Sequence, residues 1–138
     1  MGDLQFQWVS KSGFFRVKDK EAFRKSLKQI RTKDLQVFEE TDENGVVRFA
    51  IGGYDTLSCV FVHGEEDEYD EELYNLEAFI QPHLPDDEVF VLFDIGHETL
   101  TFVGGRVLIV TSREVAHMSL HQWAEEKKHQ LLNLPACV

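Results

Sequence analysis

The side chains with the clearest capacity for chemistry are carboxylates concentrated in one short stretch. Residues 64–72, here called the acidic segment, read GEEDEYDEE, and their seven acids are Glu65, Glu66, Asp67, Glu68, Asp70, Glu71 and Glu72. Dense negative charge attracts cationic surfaces and raises the rate at which they associate. We therefore predict that these carboxylates form a partner-binding site for a basic protein.

The same carboxylates and the histidines do not predict a dedicated metal site. The acidic segment lacks the D-x-[DN]-x-[DN]-G spacing of an EF-hand loop. His117 and His121 are four residues apart, which suits a shared metal on one helix face, but Ser119 is the expected N-cap and leaves His117 outside the helix. We expect no metal ion and no cofactor, with weak, nonspecific cation binding as the alternative.

Nucleophilic catalysis has little support in the sequence. Cys59 lies in an apolar run and Cys137 near the end of the chain, without a neighbouring base, so both are expected to be reduced thiols. The serines lack a G-x-S-x-G elbow, and neither glycine pair is followed by G-K-[ST]. The sequence predicts a protein that is not an enzyme, and a small enzyme with an unrecognised site remains an alternative.

Charge is strongly segregated along the chain. The net charge of the 138 residues is −11, yet the first 33 residues hold nine of the fourteen lysines and arginines. Residues 34–98 hold nineteen acids against Arg48 alone. This balance argues against nucleic acid as the main ligand. Two interpretations stay open, because the acids form either a recognition surface or a solubilising surface that the basic helix packs near.

The N-terminal half predicts one helix and several short strands. Asp19 can cap a helix that extends to about Ile30, with apolar residues on one face and bases on the other. Asn44-Gly45 favours a type I′ hairpin turn. The expected strands are 6–9 and 14–17, joined as a hairpin, and then 35–41, 46–51 and 57–62 as an antiparallel meander.

The C-terminal half predicts two helices around three strands. A helix from about Asp70 to Gln81 would end at Pro82, and carboxylates at its start would interact favourably with the helix dipole. Ser119, with Gln122 three residues later, predicts the start of a helix over 119–132. The expected strands are 88–95, 98–103 and 106–111, with breaks at Gly96-His97 and Gly104-Gly105.

These elements predict a single acidic α+β domain over residues 1–138. Its sheet structure would be mainly antiparallel β meanders, with about three helices. Matching strands and glycine pairs 52 residues apart suggest an internal repeat, 18–62 and 70–111, before the C-terminal helix 119–132. The repeat is one of two interpretations, because short strands with turn glycines also align by chance.

Three classes of function fit this sequence. The favoured one is a non-enzymatic binding or inhibitor protein, of the immunity, anti-defence or DNA-charge-mimic kind, which docks on a basic protein. The order of elements resembles that of type III secretion chaperones, which implies a small acidic chaperone as an alternative. The third class is the small enzyme named above. With no apolar run of membrane-spanning length and no signal peptide, we expect a cytoplasmic protein, monomeric or homodimeric.

Overall fold

The computed structural model of the chain describes residues 6–30, 35–54, 57, 59–63, 71–99 and 101–133. Three helices lie within these residues, which are α1 (Lys20–Lys28), α2 (Leu76–Ile80) and α3 (Leu120–Asn133), and a single 3-10 turn, Gln81–His83, follows α2. The strands are β1 (Phe6–Ser12), β2 (Gln36–Thr41), β3 (Val47–Gly53), β4 (Cys59–His63), β5 (Glu71–Asn75), β6 (Phe90–Glu98), β7 (Phe102–Val110) and β8 (Val115–Ser119).

Six of the strands form one antiparallel sheet, in the order β2-β3-β1-β6-β7-β8. β4 and β5 form a second, two-stranded sheet, so β4 pairs with β5 and not with β3 as a continuous meander would require. β6, β7 and β8 form an antiparallel meander, although its strands are not the three expected at 88–95, 98–103 and 106–111. The α+β class with antiparallel strands is therefore confirmed, whereas the internal repeat stays a prediction.

The two faces of the large sheet differ because side chains alternate along each strand. On β6, Phe90, Leu92 and Asp94 point to the inner face and are buried, while Phe93 and Ile95 point to the outer face and are exposed. The inner face carries the core, to which α1 contributes Phe23 and α2 contributes Leu76 and Ile80. This division leaves one face of the sheet packed and the other open.

Aromatic rings at the centre of the core hold α1 to the sheet. Phe23 of α1 packs edge-on against Phe49 of β3, with ring centroids 4.9 Å apart, and against Phe15 at 5.7 Å. Phe15 in turn meets Phe90 of β6 at 5.0 Å. Edge-to-face pairs of this kind contribute about 0.5–1.5 kcal/mol each beyond their buried area.

Both capped helix starts are confirmed. The carboxylate of Asp19 accepts hydrogen bonds from the backbone N–H groups of Glu21 at 3.0 Å and Ala22 at 3.1 Å. At α3, the hydroxyl of Ser119 accepts from the backbone N–H of Gln122 at 3.0 Å. Side-chain oxygens thus satisfy donors that have no partner within the first turn.

The expected hairpin of residues 6–9 and 14–17 is wrong. β1 continues through Ser12, and Phe15 makes only an isolated bridge to Phe49. Ser10 and Ser12, which the expected turn would have contained, are buried inside β1, and Ser12 Oγ accepts a hydrogen bond from the backbone N–H of Ile51 at 3.0 Å. Because their hydroxyls find partners in the core, these serines belong to a central strand.

The helix expected over residues 70–81 is present only in its C-terminal part, and its N-terminal part is wrong. Residues 71–75 form β5, which pairs with β4 through Val62 opposite Glu72 and Val60 opposite Tyr74. α2 begins only at Leu76, after Asn75 as N-cap. Pairing with β4 satisfies the backbone of residues 71–75, so the helix is reduced to five residues.

Three turn assignments differ as well. Gly96-His97 and Gly104-Gly105 lie inside β6 and β7, and the chain reverses between these strands near Thr99, whose φ is +47°. β8, at 115–119, was not expected.

At the β2–β3 turn, Gly45 has a φ of +81° and Asn44 does not have a positive φ, so the turn is not type I′. Asp42 sets it, because its Oδ1 accepts from the N–H of Asn44 at 2.8 Å.

Candidate functional site

The acidic segment belongs to the hairpin that β4 and β5 form. Residues 64–70 join the two strands, and Glu65, Glu66, Asp67, Glu68 and Asp70 lie outside the described residues. The backbone of Glu71 and Glu72 belongs to β5, opposite His63 and Val62 of β4. The predicted binding carboxylates therefore follow one another through the connection of a hairpin and into its second strand.

The base of this hairpin is anchored in the core. Leu57, just before β4, and Leu76, just after β5, are both buried. An isolated two-stranded hairpin is only marginally stable in water, so it needs such anchoring. The fold thereby fixes both ends of the chain segment that contains the acidic residues.

Stabilisation by a helix dipole is one explanation of the acidic segment that needs no binding partner, and the structure argues against it. Carboxylates are stabilised by a helix dipole only within about one turn of the helix start. Glu71 and Glu72 lie in β5, and α2 begins four residues after Glu72 and is only five residues long. The helix therefore does not account for the run of negative charge.

The described arginines pair with carboxylates outside the acidic segment. Arg24 Nη2 lies 2.7 Å from Glu39 Oε1, and Arg48 Nη1 lies 2.8 Å from Asp42 Oδ2. Hydrogen bonding to these guanidinium groups holds the pKa of Glu39 and the pKa of Asp42 below their usual values. Similar pairs are Arg16 with Asp87 and Glu88, Arg106 with Asp94, and Arg113 with Asp86.

A second candidate region is an exposed apolar surface that the sequence analysis did not identify. It combines the outer face of the large sheet with α3, and we call it the apolar surface. Its members are Val9, Phe93, Ile95 and Ile109 on the sheet and Leu120, Trp123, Leu131 and Leu132 on α3. Phe93 is 51% exposed and Trp123 is 49% exposed, although both are large enough to form a core. The sequence signal that could have revealed this surface is that β6 has apolar residues at positions facing both sides of the sheet.

An open groove of about 340 Å³ separates α3 from the outer face. Phe93 and Ile95 line one side of it, and Leu120 and Trp123 line the other. Gly105 of β7 lets α3 start close to the sheet, since a Cβ there would lie 2.9 Å from Leu120 Cδ1. Because Gly105 has no side chain, α3 can leave the sheet close to β7, and the groove forms between the helix and the strands.

A buried polar cluster lies on the inner face of the same strands. Asp94 accepts hydrogen bonds from the Ser10 hydroxyl and from the backbone N–H of Leu57, the latter at 3.4 Å, and Arg106 Nε lies 3.0 Å from its Oδ2. The Asp94 side chain is only 3% exposed. A substrate has no access to this carboxylate, so the cluster ties β1, β6 and β7 together and is not a catalytic group.

The histidines considered as metal ligands are separated. His117 lies in β8, whereas His121 lies in α3 with Nε2 2.7 Å from the carbonyl oxygen of Val103. Within the residues that the structure describes, no three His, Cys, Asp or Glu side chains are grouped so that they could hold a metal ion. Cys59 lies in β4, and Cys137 is outside the described residues.

No helix in the described part of the chain combines the length and apolar character needed to cross a lipid bilayer. Comparison of the chain with protein-family models, with curated proteins and with solved structures finds no match. The proposals below therefore depend on the residues alone.

Proposed function

We propose that this chain is a non-enzymatic, cytoplasmic binding protein whose acidic segment docks on a basic surface of a partner protein. The observation that supports this most directly is the placement of the acids. Glu71 and Glu72 lie in β5 of the two-stranded sheet, before the start of α2, and the described arginines pair with carboxylates outside the acidic segment. This concentration of negative charge in one short stretch supports binding to a cationic surface.

The chemistry of the acidic segment fits an inhibitor better than a scaffold. Successive carboxylates can occupy a groove that normally accepts phosphates, and they exclude nucleic acid from it by the same charge. Immunity proteins, anti-defence proteins and DNA-charge mimics act in this way. The partner class is therefore a protein with a concave basic surface, such as a nucleic-acid-binding enzyme.

Affinity capture from the source cells tests this proposal. The chain is immobilised, and bound proteins are collected at about 0.05 M and about 0.5 M salt, where the screening length falls severalfold. A basic partner that is retained at low salt and lost at high salt is expected. The captured protein is then purified and its affinity measured directly.

Matched triple variants identify the surface. E65Q/E66Q/E68Q removes three charges from the acidic segment, and E40Q/E43Q/E114Q removes three exposed charges elsewhere. The first should weaken binding at least tenfold and the second less than threefold, since each lost close charge pair is worth about 1 kcal/mol or more. Equal effects of the two variants would contradict the proposal.

The apolar surface favours a second candidate, a small acidic chaperone that holds a client segment. A client bound through apolar contacts would stay bound at high salt and would be insensitive to E65Q/E66Q/E68Q. Replacing Phe93 with serine would instead release it. Salt dependence therefore separates the two candidates in the same capture experiment.

A further inference from the structure

Among the described residues, most of α3 is not packed against another element. It has 14 residues, none of them buried, and Leu120, Trp123 and Leu131 follow one another along one side of it. Isolated helices of fewer than about 12–15 residues are marginal in water, and most helices depend on packing of an apolar face. Within the described residues, α3 contacts its own sheet near its start, where Leu120 meets Gly105 and His121 meets Val103 and the ring of Phe102. Most of its apolar side is left for another surface.

The outer face of the large sheet also carries apolar side chains that are exposed. Val9, Phe93, Ile95 and Ile109 stand beside one another on β1, β6 and β7 and are exposed. No described helix covers this face beyond the start of α3. The chain thus carries both an apolar helix side that needs a sheet and an apolar sheet face that needs a helix.

The area involved matches a stable interface. The eight residues of the apolar surface are between 37% and 71% exposed. If large apolar side chains present on the order of 150–250 Å² each, they offer roughly 800 Å² per chain, which is what each partner of a standard-size interface buries. Scattered exposed leucines are normal, but a contiguous apolar area of this size marks an interaction site.

The charge distribution permits two copies to meet at this surface. A net charge of −11 normally keeps copies of a chain apart. The outer-face positions of β6 and β7 carry no carboxylate, since Asp94 and Glu98 belong to the inner face. On α3, Glu125 and Glu126 are balanced by Lys127 and Lys128. The apolar surface is therefore a region where self-association encounters little repulsion.

We propose that a second copy of this chain covers the apolar surface, in a two-fold dimer. α3 of each copy lies across the outer face of the other, beside Phe93 and Ile95. A two-fold axis makes this contact twice, so each copy buries both of its unpartnered surfaces in one interface. Leu57 and Leu76, at the ends of the β4–β5 hairpin, belong to the core on the inner face, so the dimer does not depend on the proposed docking of the acidic segment.

Sedimentation velocity with the full chain tests the dimer. The molecular mass obtained for the wild-type protein should be twice the 16.0 kDa mass of one chain. F93E on the sheet and W123E on α3 should each sediment as monomers, because each places a charge in the apolar contact. Both residues are about half exposed, so the variants should keep the circular dichroism spectrum of the wild type.

Two control variants make the test specific. Q122E places the same charge on α3 away from its apolar side, and F38E replaces a phenylalanine of β2 that is 41% exposed at the far end of the same face. Both should remain dimers. A wild-type monomer at about 100 µM, far above the dissociation constants typical of interfaces this large, would overturn the proposal. So would dimers of F93E and W123E, or assembly into larger oligomers.

Discussion

Arg106 and Asp94 stand directly opposite each other on β7 and β6, and their side chains meet with Nε 3.0 Å from Oδ2. The carboxylate is almost fully buried, whereas the guanidinium is 42% exposed. The pair therefore connects the packed centre of the sheet to its solvated margin. It also explains how a charged residue is tolerated in the apolar run of β6.

Removing Arg106 should destabilise the fold more than removing any other described arginine. R106M leaves the buried Asp94 carboxylate without its counterion, and we expect a loss of about 3 kcal/mol in the free energy of unfolding. Urea denaturation measures it. R113M is the control, because Arg113 is exposed and 4.0 Å from Asp86, and it should cost less than about 0.5 kcal/mol. The double variant D94N/R106M should recover part of the loss; no recovery would argue against the pair.

Gly96 should not accept a side chain. A Cβ there would overlap the indole ring of Trp8, its neighbour on β1, so G96A should cost about 1–3 kcal/mol through overpacking. The midpoint of thermal unfolding reports this cost. G13A is the matched control, since a Cβ at Gly13 meets no atom within 4 Å. W8L should relieve the overlap in G96A, and an unchanged cost in W8L/G96A would refute this explanation.

His83 should make stability depend on pH in the mildly acidic range. Burial against Phe23, with ring centroids 5.0 Å apart, lowers the pKa of His83 from its usual value near 6.5, and Lys18 lowers it further against the opposing effect of Asp19. The unfolded chain thus binds a proton more readily, so stability should fall as pH drops from about 7 through 6.5 and below.

Urea midpoints of the wild type and of H83Q, measured between about pH 5 and pH 7.5, test this dependence. H83Q should show a shallower fall on acidification, although other groups continue to titrate. H129Q is the control, because His129 is exposed on α3. A slope of H83Q as steep as that of the wild type would show that His83 is not responsible.

The N-cap of α1 should contribute to global stability. D19A removes the oxygen that accepts from the N–H groups of Glu21 and Ala22, and we expect a loss of about 1 kcal/mol. K20A, one residue along, keeps the cap and should change stability by less than about 0.5 kcal/mol. Chemical denaturation compares the two. Equal values would mean that the α1 cap is not important for folding.

Local signals predicted a good part of the fold. Asp19 and Ser119 marked helix starts because a capping side chain acts within three residues, and Gly45 marked a turn because it takes a positive φ. The approximate positions of most strands were predicted, but the residues at which several of them begin or end were not. Gly96 and Gly104 resemble turn residues in sequence, yet Gly96 gives room to the ring of Trp8 on the neighbouring strand β1, and Gly104 gives room to the ring of Phe102 on its own strand β7.

The arrangement of the elements was less predictable, because it depends on contacts between distant residues. Ser10 belongs to a strand since it meets Asp94, 84 residues away, and residues 71–75 are a strand since β4 pairs with them. The apolar surface was missed for a related reason. The sequence predicted a strand over 88–95 but not which of its faces would be covered, and the pairing of β6 with β1 and β7 reveals that no described helix covers the side of Phe93 and Ile95.

β4 and β5, the described strands of the hairpin that bears the acids, form a sheet separate from the six-stranded one. The sequence of this hairpin can therefore lengthen, shorten or change charge over evolutionary time while Leu57 and Leu76 keep its ends in place. A family descended from this chain would be expected to diverge fastest between those two leucines. Such an architecture lets new specificities arise on an inherited framework that does not need to refold.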